Sequence, residues 1–377
     1  MAAKRGEMAT TAGPFTRPMD NGQETRLALS NTSAMSKVYK LGVAKLVHDH
    51  VWGELSHWAA TGRVEIVAVG ESNERLRNRF ASTFPEARLY ESWEAMLAGE
   101  SELDIVQIAA ENSAHAEITE AAAAKKCHVI SEKPMAATLA QANRMVAACE
   151  KAGVQLMVNW PTAWSPAFQE MERIILSGGI GELRYFKYRS AHNGPKEIGC
   201  DETFWGWLYD EEKNGGGAFM DYCCYGSAMM ARFLGLPEKV IGMRGILAKD
   251  YPIPDDNALI DAWYKGAHCV AEASWTQVTG YVTGNPYAYG SEGALCLQGG
   301  KVHLMKPGQP VEIIEPTPLE APYRTAPEYL LHCIETGEAL AGVCSAKVSR
   351  DAQEILEAGK RAADSGMMQK LPLTTDL

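Results

Sequence analysis

Between residues 38 and 158, short runs of consecutive apolar residues alternate with longer stretches in which apolar positions recur every three or four residues. The runs predict strands over 38–44, 64–69, 88–90, 104–109, 128–131 and 155–158, and the periodic stretches predict helices over 49–60, 73–84, 93–98, 115–126 and 139–152. Strand and helix in strict alternation mean parallel strands with crossover helices on both faces. Residues 36–160 therefore read as one doubly wound, dinucleotide-binding type domain.

Beyond residue 158 the rhythm changes. A helix over 166–177 closed by Gly178-Gly179, a strand over 183–189, an aromatic loop or short helix over 201–214, and a helix over 219–234 closed by Gly235 come first. Runs at 240–247, 258–264, 269–275, 287–289, 294–298, 302–305 and 311–314 follow without helices between them, which predicts a mostly antiparallel open sheet. Helices over 327–336 and 347–363 end the chain. Residues 161–377 thus read as an α+β domain, its last helices free to pack back on the first domain. Residues 1–35 are small, polar and aperiodic, the composition of a disordered tail, with Met35 as an alternative start.

Composition narrows the partners. A chain of 377 residues, 46% apolar and 22% charged, has the make-up of a soluble globular protein of about two domains. A net charge of −11 argues against nucleic acid or an anionic membrane surface, both of which need a basic face. No apolar run reaches the ~20 residues of a membrane span. The nine cysteines are scattered without a CxxC pair, as expected for a reducing cytoplasm. Cys223-Cys224 reads as helix packing.

Candidate chemistry begins at Ser131-Glu132-Lys133-Pro134, where a buried run ends. An open α/β sheet binds its ligands at the carboxyl ends of its strands, so Lys133 is expected in an active site; the alternative is a strand-end lysine in solvent. The first strand-to-helix turn, Val43-Ala44-Lys45-Leu46-Val47-His48-Asp49-His50, lacks the GxGxxG fingerprint, whose register falls on Val43, Lys45 and His48. Lys45 could pair with a phosphate there, beside a helix amino end that favours anions. Glu71, after the second strand, suits the ribose diol of NAD and would repel the extra phosphate of NADP, though it also reads as a loop carboxylate. His48 and His50 are i, i+2, do not share a helix face and find no third ligand at a fitting spacing, so no metal is expected. Asp49 is expected to cap the helix.

Several segments together resemble the glucose-fructose oxidoreductase / inositol dehydrogenase (Gfo/Idh/MocA) family. They are Asp104-Ile105-Val106-Gln107-Ile108-Ala109, Asn112-Ser113-Ala114-His115, Glu132-Lys133-Pro134, Gly178-Gly179-Ile180-Gly181-Glu182, and Gly215-Gly216-Gly217-Ala218-Phe219-Met220-Asp221. Tyr289-Gly290-Ser291-Glu292-Gly293-Ala294 and Lys370-Leu371-Pro372-Leu373 look similar too, so the likeness spans about residues 36–375. It implies a nicotinamide-dependent oxidoreductase acting on a sugar, polyol or glycoside hydroxyl and forming a homodimer or homotetramer through the second-domain sheet; with Glu71 in place, NAD is the expected cofactor rather than NADP. The resemblance maps catalytic roles onto Lys133, Asp221 and Tyr225, the last standing where members often carry histidine. Cofactor contacts would come from Lys45, Val47, His48, Glu71, Ala110, Asn112, His115, Glu132 and Lys133. This chain departs from the family at Glu111, usually proline, at Ala228, often aspartate, and over 159–166, which lack the usual arginine.

Asp221 and Tyr225 are i, i+4 and share a helix face. An ammonium beside Tyr225 is expected to bring its phenol nearer neutrality, fitting it as acid/base. The alternatives are a core tyrosine and a helix-start carboxylate. Trp160, Trp164, Trp205 and Trp207 are expected at the interdomain cleft, where indoles stack on sugar rings, or else in the core; His192, Lys196 and Glu197 are candidates for hydroxyl contacts. Two further readings stay open: a glycosidase-like enzyme using transient oxidation and elimination, and a cofactor-free binding or regulatory protein on a dehydrogenase fold.

Overall fold

A computed structural model describes residues 37–374. The expected tail over 1–35 lies outside the described residues.

The alternating half folds in the order β1 (Tyr39–Ala44), α1 (Val51–Ala60), β2 (Val64–Gly70), α2 (Glu74–Thr83), β3 (Arg88–Tyr90), α3 (Trp93–Gly99), β4 (Ile105–Ile108), α4 (His115–Ala124), β5 (His128–Glu132), α5 (Leu139–Ala152) and β6 (Leu156–Asn159). All its strand pairs are parallel, in the order β3-β2-β1-β4-β5-β6. Strand order reverses between β1 and β4, and that crevice is where such a sheet takes a ligand. Local chemistry sets the helix ends. Asn73 accepts the Leu76 amide to start α2, and Thr138 and Gln141 form a reciprocal capping box on α5.

The second half continues with α6 (Pro166–Leu176), β7 (Leu183–Ala191), α7 (Glu202–Leu208), α8 (Glu211–Asn214), α9 (Ala218–Leu234), β8 (Lys239–Gly245), β9 (Asn257–Tyr264), β10 (Ala267–Ser274), β11 (Tyr287–Gly290), β12 (Ala294–Gln298), β13 (Lys301–Met305), β14 (Glu312–Ile314), α10 (Ala326–Thr336), α11 (Ala346–Ser365) and β15 (Gln369–Lys370). Nine strands run β14-β13-β12-β11-β7-β10-β9-β8-β15, antiparallel except for the β7–β10 pair. The expected fold class, a parallel doubly wound sheet followed by a mostly antiparallel one, is the observed one. Helix α9 lies on β7, β9 and β10, and α11 packs against α9, β8 and α5. Gly226 allows the close approach of α9, since a Cβ there would fall 2.5 Å from the Ala271 Cβ on β10. No described helix is long and apolar enough to cross a membrane.

Three expectations about the first turn change. Helix α1 starts at Val51, so His48 and His50 precede it and the helix-face argument does not apply to them. Asp49 does not cap α1; its carboxylate accepts the Asp201 amide at 3.1 Å. Lys45, directly after β1, takes the left-handed backbone (φ 64°) natural to glycine, which puts the fingerprint positions at Lys45, Val47 and His50.

Candidate active site

Lys133 leaves β5 into the interior rather than into solvent. Its ammonium is 3% exposed and donates to Asp221 Oδ1 at 2.8 Å. Burial works against its charge, but Asp221 outweighs burial and holds the ammonium well above its ordinary value. Asp221 stands in the first turn of α9, and that turn is fixed by a residue the sequence did not mark. The buried Asp255 accepts the amides of Gly217 (3.1 Å) and Phe219 (2.7 Å). Its backbone comes so close that a Cβ on Gly217 would lie 2.3 Å from the Asp255 carbonyl oxygen. Glycine at 217 is therefore required by packing.

Tyr225, one turn on, is walled by Trp160, Tyr222 and Tyr188, with ring centroids 5.8–6.2 Å away. Lys133 Nζ lies over its ring, 5.1 Å from the centroid, while its hydrogen bond goes to Asp221. Burial consequently raises the Tyr225 phenol, and the pull of Lys133 does not outweigh it. This reverses the expected direction: the ammonium's charge is already matched by a carboxylate. His192, at the end of β7, packs on Tyr222 (4.9 Å) and accepts the Gly194 amide at Nδ1 (2.7 Å). Burial pulls it below its ordinary value.

The tryptophans separate. Trp160 is 1% exposed and donates to Ser349, and Trp207 is buried with its indole donating to the Val47 carbonyl at 3.3 Å, so neither opens to a cleft. Trp205 is half-buried beneath Lys196. Trp164 donates to Asn159 and lines a cavity of ≈ 420 Å³ with His50, Glu54 and Asn159. A larger cavity of ≈ 640 Å³ shares Trp164 with it but includes none of Lys133, Asp221 and Tyr225.

The crevice between β1 and β4 is bridged. Lys45 Nζ contacts both oxygens of Glu111 at 2.6 and 2.7 Å. Burial alone would raise the Glu111 carboxyl, and Lys45 outweighs it and holds the group low. Glu71 is 1% exposed, and its oxygens accept the amides of Leu46 and Asn73 at 2.7 Å each. His48 is buried under Phe204 of α7 (4.7 Å). The same helix is tied across the turn by the paired contacts of Asp201 with Arg75 (2.6 and 2.8 Å). His115 is buried between the carbonyls of Ala110 (3.2 Å) and Met135 (3.1 Å) and joins the two turns. Asn112 donates to Asn214, and its Oδ1 is buried without a donor. The residues thus fit the reactive end of a dinucleotide, where a ribose hydroxyl would satisfy Asn112 and Lys133 stands by. At the diphosphate end they do not offer the usual glycine cradle.

The chain matches the family described as "Oxidoreductase family, NAD-binding Rossmann fold" over residues 42–160 and "GFO/IDH/MocA C-terminal domain" over 168–296. It is 39% identical over 134 residues to a D-apiose dehydrogenase of Paraburkholderia graminis, covering 36% of this chain and 34% of that protein. It is 27% identical over 190 residues to the D-glucoside 3-dehydrogenase of Escherichia coli, covering 50% and 51%. The chain therefore spans about a third to a half of the length of the curated relatives it matches. Two solved structures share the fold: a levoglucosan dehydrogenase in complex with NADH and levoglucosan (TM-score 0.77, 17% identity, 89% of this chain and 100% of that one), and the aldose-aldose oxidoreductase of Caulobacter crescentus complexed with glycerol (0.72, 23%, 89% and 100%).

Proposed function

Because the chain belongs to the Gfo/Idh/MocA oxidoreductase family, we propose that it is a nicotinamide-dependent oxidoreductase of a sugar, polyol or glycoside, working between a hydroxyl and its carbonyl. The observation that carries this reading is the buried Lys133–Asp221 pair beneath the ring of Tyr225. Sugar-dehydrogenase relatives support the substrate class. Asn112 and Lys133 would hold the reactive end of the cofactor, and the negative charge of Glu71 after β2 favours NAD over NADP. When bound, the nicotinamide supplies or takes up the hydride.

The chain's own groups govern the proton. Lys133 keeps its proton at Nζ because Asp221 faces it, and Tyr225 keeps its own because its phenol is buried. Such donors can give a proton to a carbonyl oxygen as it is reduced and, along the reverse path, receive one from a hydroxyl as it is oxidised. The test is Tyr225→Phe, which removes one hydroxyl from a packed ring. Turnover is expected to fall about 10²–10⁴-fold with NAD affinity kept; undiminished turnover rejects the assignment.

The exposed apolar side chains Met243, Trp263, Tyr289 and Ile313 on strands of the nine-stranded sheet support pairing of copies through that sheet. Nine free cysteines support a reducing compartment, which we take to be the cytoplasm. A second reading, a cofactor-free binding protein, is favoured by the Lys45–Glu111 bridge and by the occupied oxygens of Glu71. Titration with NAD while following tryptophan fluorescence separates the two, since only the first responds at millimolar NAD.

A further inference from the structure

The turn that lacks the glycine fingerprint carries two histidines, and the fold brings a carboxylate to them from 82 residues away. Glu132 Oε2 is 3.1 Å from His50 Nδ1 and 3.8 Å from His48 Nε2, and the three donor atoms lie within 4.8 Å of one another. Bonds of about 2.0–2.1 Å in a tetrahedral zinc site put neighbouring donors roughly 3.4 Å apart. The two contacts to Glu132 bracket that distance. The 3.8 Å contact is too long for a hydrogen bond, so His48 is not placed there by one.

We infer that His48, His50 and Glu132 form a binding site for one divalent transition-metal ion of the zinc type. Two imidazoles and one carboxylate suit zinc, cobalt or nickel, whereas magnesium and calcium require mostly oxygen donors. Three protein ligands leave one position for water or a ligand oxygen, and His50, one of the three, lines the ≈ 420 Å³ cavity with Glu54 and Asn159. The other Glu132 oxygen is contacted by Asn159 Nδ2 at 3.4 Å, which orients the carboxylate from behind. Coordination has local costs: donors that now spread over up to 4.8 Å must draw together, and the ion must replace the contact of His50 Nδ1 with Glu132. His48 Nδ1 accepts the His50 amide at 3.3 Å, and a metal at Nε2 needs the ring proton on Nδ1, so that long contact must open. Binding is therefore weaker than at a fully preformed zinc site.

The inference does not rest on the oxidoreductase reading, and its test uses no turnover. The purified full chain is stripped with a chelator, then titrated with Zn²⁺ against a chromogenic competitor, and bound metal is counted by mass spectrometry. One zinc per chain is expected. His48→Ala and His50→Ala should each weaken binding at least about 100-fold, while His332→Ala, on the exposed surface of α10, leaves it unchanged. Cobalt loading of the unaltered chain should give the strong visible bands of four-coordinate Co²⁺, a readout that stands even where a variant fails to fold. Less than one zinc per chain, retention by both single variants, or only weak octahedral cobalt bands overturns the inference.

Discussion

Two lysine–carboxylate pairs stand at the carboxyl ends of β5 and β1, two strands separated by β4, and they differ in what surrounds them. After β5, Lys133 meets Asp221 from α9 with side chains 3% and 7% exposed; after β1, Lys45 meets Glu111 from the adjacent turn with 22% and 18% exposed. A buried ion pair is a poor stabiliser, because desolvating both charges offsets most of their attraction. Its presence beneath Tyr225 is better explained by chemistry than by folding. The Lys45 pair keeps part of its hydration and is worth little by itself, yet it lies across the crevice where a dinucleotide would run. At β5 the fold brings a buried ion pair and Tyr225 together, while at β1 the crevice is filled by the chain's own side chains.

The largest effect should come from breaking the buried pair. Lys133→Met removes a proton donor, and turnover should fall about 10²–10⁴-fold in a steady-state assay. Asp221→Asn leaves the ammonium buried without its counter-charge, which should cost roughly 3–5 kcal/mol in denaturant unfolding. The double variant Lys133→Met/Asp221→Leu removes both charges together and should recover most of that stability without recovering turnover. Recovery of turnover in the double variant would mean that the pair is structural.

The second pair can be tested by opening it. Lys45→Gly places glycine where φ is already 64°, relieving roughly 1–2 kcal/mol of backbone strain, and Glu111→Gln removes the partner charge. With the bridge gone, NAD affinity by fluorescence titration should rise about tenfold, or ~1.4 kcal/mol. Weaker binding would instead make Lys45 a phosphate contact, as the sequence suggests.

Periodicity is a local signal, and here it was sufficient for the six-stranded sheet and for eight of the nine strands of the other, missing only the two-residue edge strand β15. The strand over 128–131 and the helix over 219–234 lie within a residue of β5 and α9, and Lys133, Asp221 and Tyr225 were legible as one site through the family resemblance. Partners distant in sequence were not. Spacing could not reveal that Glu132 faces His48 and His50, that Asp255 clamps the glycine run, or that Trp207 covers Val47. The Tyr225 shift was misjudged because burial of the phenol, which spacing does not show, outweighs the pull of Lys133.

The smallest effect concerns the joint between the two ends. His115 bridges Ala110 after β4 and Met135 after β5, so both turns depend on its ring staying in place. Burial lowers its proton affinity below the ordinary value near 6.5, and the carbonyl contacts do not outweigh burial. The unfolded chain then binds more protons than the native one as pH falls past about 6.5, and stability rises with pH in that window. The contribution is complete above about pH 6.5 and is lost as pH falls through the lowered native value. Unfolding midpoints should therefore drop between pH 7 and 5, and His115→Gln, which keeps a donor but does not titrate, should flatten that part of the slope. An unchanged slope in the variant would assign the acid sensitivity to other groups and leave His115 a pH-independent joint between the two turns.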